Sequence, residues 1–178
     1  MSSTTEPALG AIRLAWWRER LEELDEGVVP AEPRLRAIAR QLLGHGITGV
    51  ELSKLEDAWL PLLHPFPWGE EVAEGLKLRG RVLFGVGARL LRGDPALAET
   101  PGELWSLIDG ARHCSDQGSR AELLKAAASM AVGRVPGKLR PLTILAALAV
   151  ASVRDPSSGV ARGMAAVHHR LTGRILQL

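Results

Sequence analysis

The fold of this chain is decided by one stretch, Gly69-Glu-Glu-Val-Ala-Glu-Gly-Leu-Lys-Leu-Arg-Gly-Arg-Val-Leu-Phe-Gly-Val-Gly-Ala-Arg-Leu-Leu-Arg92. We predict a long helix here, although each interior glycine costs about 1 kcal/mol relative to alanine. Two explanations are open: a neighbouring helix approaches closely, or the glycines line a cavity for an apolar ligand. No strand precedes them, so they do not form a dinucleotide-binding loop. The glycines concerned are Gly75, Gly80, Gly85 and Gly87.

The rest of the sequence predicts a single all-α domain over residues 1–178. The chain is 46% hydrophobic, has only two phenylalanines and lacks tyrosine. Its leucine-rich and alanine-rich composition favours helices over strands. We predict eight helices, no strand and no internal repeat. Three of them are expected to begin at capping boxes, formed by Thr48 with Glu51, Thr100 with Glu103, and Ser119 with Glu122.

The spacing of apolar residues predicts which helix faces are buried. The first helix, from Thr5 to about Glu26, carries two apolar stripes, so we expect it to pack on two sides. One stripe holds Leu9, Ile12 and Trp16, and the other holds Leu14, Trp17 and Leu21. The third helix is expected to bury Leu52, Leu55, Trp59 and Leu62. In the last helix, from Gly159 to Leu178, the residues expected to face inward are Val160, Met164, Val167, Leu171 and Ile175.

Charge and cysteine content narrow the class of protein. The net charge of +2 is too small to indicate electrostatic binding of nucleic acid. The single cysteine, Cys114, makes no internal disulfide, and the first residues lack the features of a signal peptide. The longest apolar run, Leu142 to Val153, has about 12 residues, fewer than the roughly 20 that span a bilayer. We therefore expect a cytoplasmic protein without a transmembrane segment, with a peripheral membrane location as the alternative.

The candidate chemistry lies on the helix predicted from Thr100 to Cys114. Its apolar face carries Cys114, which indicates a buried thiol rather than a nucleophile. The opposite face carries an acid, a cation and an imidazole at helical spacing, which suits either a polar ligand and proton transfer or an ordinary solvated face. The polar residues are Asp109, Arg112, His113 and Asp116. The adjacent His168 and His169 point about 100° apart on a helix, so they do not jointly ligate a metal.

Five segments of the chain resemble the squalene and phytoene synthase family, especially its short bacterial members. The first, Ile12-Arg-Leu-Ala-Trp-Trp-Arg-Glu-Arg-Leu21, is similar to the RLxWWR helix of that family. The others follow in the family's order: Arg79-Gly-Arg-Val-Leu-Phe84, Gly102-Glu-Leu-Trp-Ser-Leu-Ile-Asp-Gly-Ala-Arg-His113, Arg140-Pro-Leu142 and Leu171-Thr-Gly-Arg-Ile175. The resemblance spans nearly the whole chain. It implies a multi-helix bundle of the isoprenoid synthase fold around an apolar cavity, short at its N-terminal end.

Active members of that family hold Mg²⁺ between two aspartate-rich motifs and condense two prenyl diphosphates. The resemblance places the first motif before the helix of Trp16 and Trp17, where this chain starts too late to contain it. In the second motif the family has an asparagine, then arginine and aspartate, then a later aspartate. The matching residues here are Asp109, Arg112, His113 and Gln117. Histidine and glutamine supply no anionic oxygen, so the resemblance implies no metal site and no cofactor.

The resemblance therefore implies a catalytically degenerate protein that binds an isoprenoid or lipid, or serves as an assembly or scaffold partner. The alternative is an active prenyl transferase that uses Mg²⁺ and whose first aspartate motif is missing from this chain. No catalytic residue is assigned. We expect a homodimer or another partner to cover the first helix. The residues expected to line a pocket are Asp109, Arg112, His113, Asp116, Gln117, Gly80, Phe84 and Gly87.

Overall fold

A computed structural model describes residues 7–178 of the chain, and the regular secondary structure in that range is entirely helical. The prediction of an all-α chain is confirmed for these residues, whereas Thr5 and Glu6 of the expected first helix lie outside them. Short 3₁₀ turns connect several of the helices. The α-helices are α1 (Pro7–Glu22), α2 (Pro33–Gln41), α3 (Gly49–Ser53), α4 (Leu55–Trp59), α5 (Glu70–Leu90), α6 (Ala96–His113), α7 (Gln117–Ala128), α8 (Arg140–Arg154) and α9 (Gly159–Thr172).

The centre of the fold is the contact between α5 and α6, the two longest helices. Gly80 and Gly102 face each other there, and a Cβ on either glycine would overlap the backbone carbonyl of the other. A Cβ on Gly87 would lie 2.9 Å from the Leu142 side chain, and a Cβ on Gly75 would lie 2.9 Å from the Ala58 carbonyl oxygen. At these positions glycine therefore permits close packing of neighbouring elements.

Two of the main clusters of buried apolar side chains include residues of α5, one cluster at each half of the helix. The first half packs through Val72 and Leu76 against α6, α7 and α8. The second half packs through Val86 against residues of the N-terminal segment, including Leu21 and Leu35. The predicted apolar face of α6 is confirmed, since Leu104, Leu107, Ile108, Ala111 and Cys114 are all buried.

Two of the three predicted capping boxes are wrong, because other residues start those helices. α6 begins at Ala96, whose N–H donates to Asp94 Oδ1 at 3.0 Å, so Thr100 and Pro101 lie inside the helix. The extra turn is stabilised by packing, since Ala98 is completely buried. α7 begins at Gln117 and is capped by Asp116, which accepts a 2.7 Å hydrogen bond from the Ser119 N–H. The box at Thr48 is confirmed, with Glu51 N–H donating to Thr48 Oγ1 at 3.1 Å.

The predicted third helix is divided into α3, α4 and a 3₁₀ turn. Lys54 separates the two short helices, and the turn begins at Leu60, just before Pro61. Of the residues expected to be buried along it, Leu52 is buried, but Trp59 is exposed over more than a third of its surface. The break turns Trp59 toward α5, where its ring meets a cation, as described below.

The predicted inward face of α9 is wrong for four of its five residues. Val160, Met164, Val167 and Leu171 are each between 54% and 77% exposed. The face that packs on the alanine-rich α8 carries Ala165 and His169, both buried. The hydrogen bond between His169 and Thr143 turns this face toward α8, so the larger apolar residues lie outside. Ile175 is buried, but it follows the end of the helix, where Gly173 has a φ of 73°.

We predict that Gly80→Ala destabilises the fold by about 2 kcal/mol or more, because the added methyl group forces α5 and α6 apart. The free energy of unfolding, measured by urea denaturation, tests this. The matched control is Gly85→Ala in the same helix, where the added Cβ would lie 4.0 Å from Pro95 Cβ. That variant should be as stable as the natural chain or up to about 1 kcal/mol more stable. Equal stabilities of the two variants would contradict the proposed role of the close contact.

Candidate functional site

The most unusual polar group of the interior is Arg79, which lies on α5 one residue before the Gly80 contact. Its side chain is buried and directed at α6. Nε donates to Ser106 Oγ at 2.8 Å, and Nη2 donates to the Ser106 carbonyl oxygen at 3.1 Å and to Asp109 Oδ2 at 2.8 Å. The cation is therefore paired and hydrogen-bonded, which offsets the free energy lost when it leaves water.

Two tryptophan rings flank the same guanidinium. Arg79 Cζ lies 5.2 Å from the ring centroid of Trp59 on α4 and 5.1 Å from that of Trp105 on α6. Both distances are within the range of cation–π attraction, which strengthens when the cation is removed from water. We call Arg79, Ser106, Asp109, Trp59 and Trp105 the arginine cage. It ties α4, α5 and α6 together through one side chain.

Asp109 extends the arginine cage to the surface of the molecule through His113. The His113 Nδ1–H donates to the Asp109 carbonyl oxygen at 2.8 Å and lies 3.5 Å from Asp109 Oδ1. A carbonyl oxygen only accepts, so Nδ1 carries the hydrogen and Nε2 is left to accept one. His113 is exposed, whereas the neighbouring Cys114 thiol is buried and donates to the Asp116 carbonyl oxygen at 3.3 Å. Cys114 is therefore turned away from the contact between Asp109 and His113.

The remaining residues of the predicted polar face do not gather around Asp109. Arg112 is exposed, and Gln117 is the exposed first residue of α7. Asp116 is turned toward α7, where hydrogen bonds from the Ser119 N–H and hydroxyl lower the pKa of its carboxyl. Of the five polar residues predicted to line a pocket, the structure therefore brings only Asp109 and His113 together.

The predicted pocket residues on α5 lie in helix packing. Gly80 faces Gly102, Gly87 faces Leu142, and Phe84 is buried with its ring centroid 5.5 Å from that of Trp105. Two open cavities of about 370 and 300 Å³ lie elsewhere. The larger is lined by Trp68, Gly69, Glu70, Ala73, Ser119, Glu122, Leu123 and Ala126, and the smaller by Pro33, Arg36, Ala37, Arg40 and Gln41. None of the eight predicted pocket residues lines either cavity.

The residues at the expected Mg²⁺ motif do not fit that ion. Asp109 is the one carboxylate among them, and its Oδ2 already accepts from Arg79. His113 and Gln117 offer no anionic oxygen, and α6 ends at His113, so Gln117 lies on the next helix. Within residues 7–178, no three His, Cys, Asp or Glu side chains are grouped so that they could hold a metal ion.

Sequence reasoning missed the arginine cage, although a signal for it exists. Arg79 lies at the centre of the apolar stripe of α5, seven residues after Val72 and seven before Val86, and both are buried. A cation on a buried stripe needs a partner on the neighbouring helix. Trp105 and Asp109, four residues apart on α6, are the kind of pair that could supply it.

A second buried polar group, His169, connects α9 to α8. Its Nδ1 lies 3.2 Å from the Arg174 carbonyl oxygen, and its Nε2 lies 2.9 Å from Thr143 Oγ1. The carbonyl only accepts, so Nδ1 carries the hydrogen, and the single hydroxyl hydrogen of Thr143 has two acceptors within reach, His169 Nε2 and the Leu139 carbonyl oxygen at 3.0 Å. Burial lowers the pKa of His169 below its ordinary value of 6.5. His168, next in sequence, is exposed, so the two imidazoles point apart as predicted.

We predict that Arg79→Ala lowers the free energy of unfolding by about 3 kcal/mol or more, because it leaves the half-buried Asp109 carboxylate without its cation. Urea denaturation measures the loss. Lys125→Ala is the control, since Lys125 forms an exposed pair with Glu122 at 3.4 Å. Removing that pair should cost less than about 0.5 kcal/mol. Similar losses in the two variants would show that the arginine cage contributes no more than a surface ion pair.

We predict that the chain loses stability as the pH falls below 6.5, the ordinary pKa of the His169 imidazole. The folded-state pKa is lowered, so the unfolded chain binds more protons in that range, with a slope of at most about 1.4 kcal/mol per pH unit. Thermal denaturation between neutral and mildly acidic pH measures it. His169→Gln should flatten the pH dependence, whereas His168→Gln should leave it unchanged. A flattening by both variants alike would contradict the assignment to His169.

Comparison with known proteins gives no information about the function of this chain. No protein-family model matches the chain, and no curated protein or solved structure is similar to it. Every helix in residues 7–178 is too short or too polar to cross a membrane. What the resemblance to squalene and phytoene synthases implies about function is accordingly argued below as a proposal.

Proposed function

We propose that this chain is a squalene/phytoene synthase-like protein that acts as an assembly or scaffold component and does not transfer prenyl groups. One observation carries the proposal, which is that Asp109 forms an ion pair inside the protein. It is the one carboxylate at the expected metal motif, and it is paired with buried Arg79 at 2.8 Å. Binding Mg²⁺ there would leave a buried arginine without its anion, at a free-energy cost of several kcal/mol. In this proposal, Asp109 on α6 stabilises the packing of α6 on α5.

The contact between α5 and α6 favours an assembly role over a ligand enclosed in the bundle. The resemblance implies an apolar cavity at the glycine-rich helix, yet Gly80 and Gly102 bring the two backbones into contact. Phe84 fills the space beside them, with 2% of its surface exposed. An isoprenoid chain has no room at this point unless the two helices separate.

The outer face of α1 supplies a surface for assembly. Leu14, Trp17 and Leu21 are at least partly buried, so this stripe packs on the molecule, whereas Leu9, Ile12 and Trp16 are exposed. Within residues 7–178, α1 therefore packs on one side and not on the two sides expected. Exposed charges of both signs, Arg13 and Glu19, flank the outer stripe. A second copy of the chain can meet this face without like-charge repulsion, and we propose a homodimer through it.

A second candidate function, binding of an isoprenoid or lipid, is favoured by the cavity of about 370 Å³ beside Trp68. Its lining includes Ala73, Leu123 and Ala126, which suit an apolar chain. Mass spectrometry of lipids that co-purify with the protein tests this candidate. A stoichiometric isoprenoid would favour it over the assembly role.

We expect the chain to form no product when incubated with farnesyl or geranylgeranyl diphosphate and Mg²⁺, because Asp109 is neutralised by Arg79.

We also expect the chain to self-associate in light scattering at micromolar concentration. Ile12→Glu should abolish the self-association by placing a charge on the α1 face. Val50→Glu is the matched control, since Val50 is similarly exposed on α3.

Formation of squalene, phytoene or a related product would overturn the proposal and establish the prenyl transferase alternative. An active phytoene synthase assayed in parallel shows that the conditions permit the reaction. A monomer in light scattering would contradict the homodimer, and loss of self-association in Val50→Glu as well as Ile12→Glu would contradict its assignment to α1.

A further inference from the structure

The charge of the chain is divided very unevenly along its length. Residues 130–178 contain seven arginines or lysines and one carboxylate, Asp155, although the whole chain has 22 basic and 20 acidic residues. The remaining residues therefore carry 15 basic and 19 acidic side chains. Asp155 accepts hydrogen bonds from the Ser157 hydroxyl and the Ser158 N–H. The C-terminal segment, with α8 and α9, is thus a cationic part of a nearly neutral protein.

The same segment presents an exposed aliphatic stripe on α9. Val160, Met164, Val167 and Leu171 follow one another at helical spacing, each with more than half of its surface exposed. The opposite face of the helix is fixed to α8, and buried His169 anchors it to Thr143. The stripe therefore belongs to a firmly packed helix and points away from the molecule.

Cations gather at the C-terminal end of this stripe. Arg140 Nη1 donates to the carbonyl oxygens of Arg170 and Leu171 at 2.8 and 3.1 Å, and Arg134 Nε donates to that of Thr172 at 2.9 Å. These two cations cap the last turn of α9 and complement its dipole. Arg170 and Arg174 are exposed, and no carboxylate in residues 7–178 pairs with either of them.

We propose that the α9 face binds the surface of a bilayer that contains anionic lipids. The aliphatic side chains enter the boundary between headgroups and acyl chains, while the cations at the end of the stripe meet the lipid phosphates. An aliphatic stripe beside unpaired cations is the combination that such a surface attracts. The proposal is independent of the assembly function proposed above, which uses α1.

Charge and shape favour this occupant over the others. A symmetric contact through this face would bring together two segments that each contain seven basic residues and one acidic residue, and this like charge disfavours it. A nucleic acid would use the cations but not the aliphatic stripe. The face is the outward surface of a single helix, which can lie in the headgroup boundary of a bilayer without a complementary protein groove.

Vesicle flotation with the full chain tests the proposal. We expect it to float with phosphatidylcholine vesicles that contain about one third phosphatidylglycerol, and to bind pure phosphatidylcholine vesicles at least tenfold more weakly, at roughly physiological salt. Met164→Glu combined with Val167→Glu should reduce binding to the anionic vesicles about tenfold or more. Arg170→Glu combined with Arg174→Glu should do the same and should reduce the dependence on salt.

Matched controls come from exposed residues elsewhere in the chain. Val50→Glu on α3, which keeps the proposed homodimer, and the pair Arg36→Glu with Arg40→Glu on α2 should leave vesicle binding unchanged. Circular dichroism confirms that each variant is folded. Failure of the natural chain to float, equal binding to both kinds of vesicle, or binding that survives both α9 variants would overturn the proposal. Capture of an acidic protein or a nucleic acid by the α9 face without vesicle binding would overturn it as well.

Discussion

The backbone contact between Gly80 and Gly102 is the constraint on which the rest of the structure depends. It brings α5 and α6 together at a distance that permits no side chain between the two glycines. Arg79 is adjacent to Gly80, and Ser106 and Asp109 follow Gly102 on α6, so the contact places the guanidinium within hydrogen-bond distance of both. The position of the arginine cage is therefore a consequence of the glycine contact.

The arginine cage in turn decides what the polar residues of α6 can do. A buried arginine needs an anion, and Asp109 provides it through Oδ2, so a cation bound at this carboxylate would compete with Arg79. His113 stays at the surface and contacts Asp109 from outside. The polar contacts of the arginine cage thus stabilise the packing of the helices, and the outer faces of α1 and α9 are exposed apolar surfaces apart from them.

The exposed faces of α1 and α9 differ in charge, and this difference is the reason for proposing a different partner for each. The α1 stripe is flanked by exposed side chains of both signs, which permits contact with a second copy. The α9 stripe ends in exposed arginines that no carboxylate in the described residues pairs with, which favours the anionic surface proposed for it. Both stripes are exposed for the same physical reason: in each helix the side facing the molecule is already packed, so a second apolar face has no place in the core.

The sequence predicted the all-α class, the ends of several helices and the buried face of α6. It could do so because alanine, leucine, glycine and proline act locally, through helix propensity and backbone geometry. Local signals were also sufficient for the Thr48 cap, but not at Thr100, where burial of Ala98 favours an earlier start. The inward face of α9 was beyond local reasoning. Its larger apolar residues form the more regular stripe, yet the face that packs on the alanine-rich α8 is the one with Ala165 and with His169, which bonds to Thr143. Likewise, only the tertiary structure chose helix packing over a cavity for Gly80 and made Asp109 the partner of Arg79. Both depend on which helix lies opposite, and no pattern within a single helix contains that information.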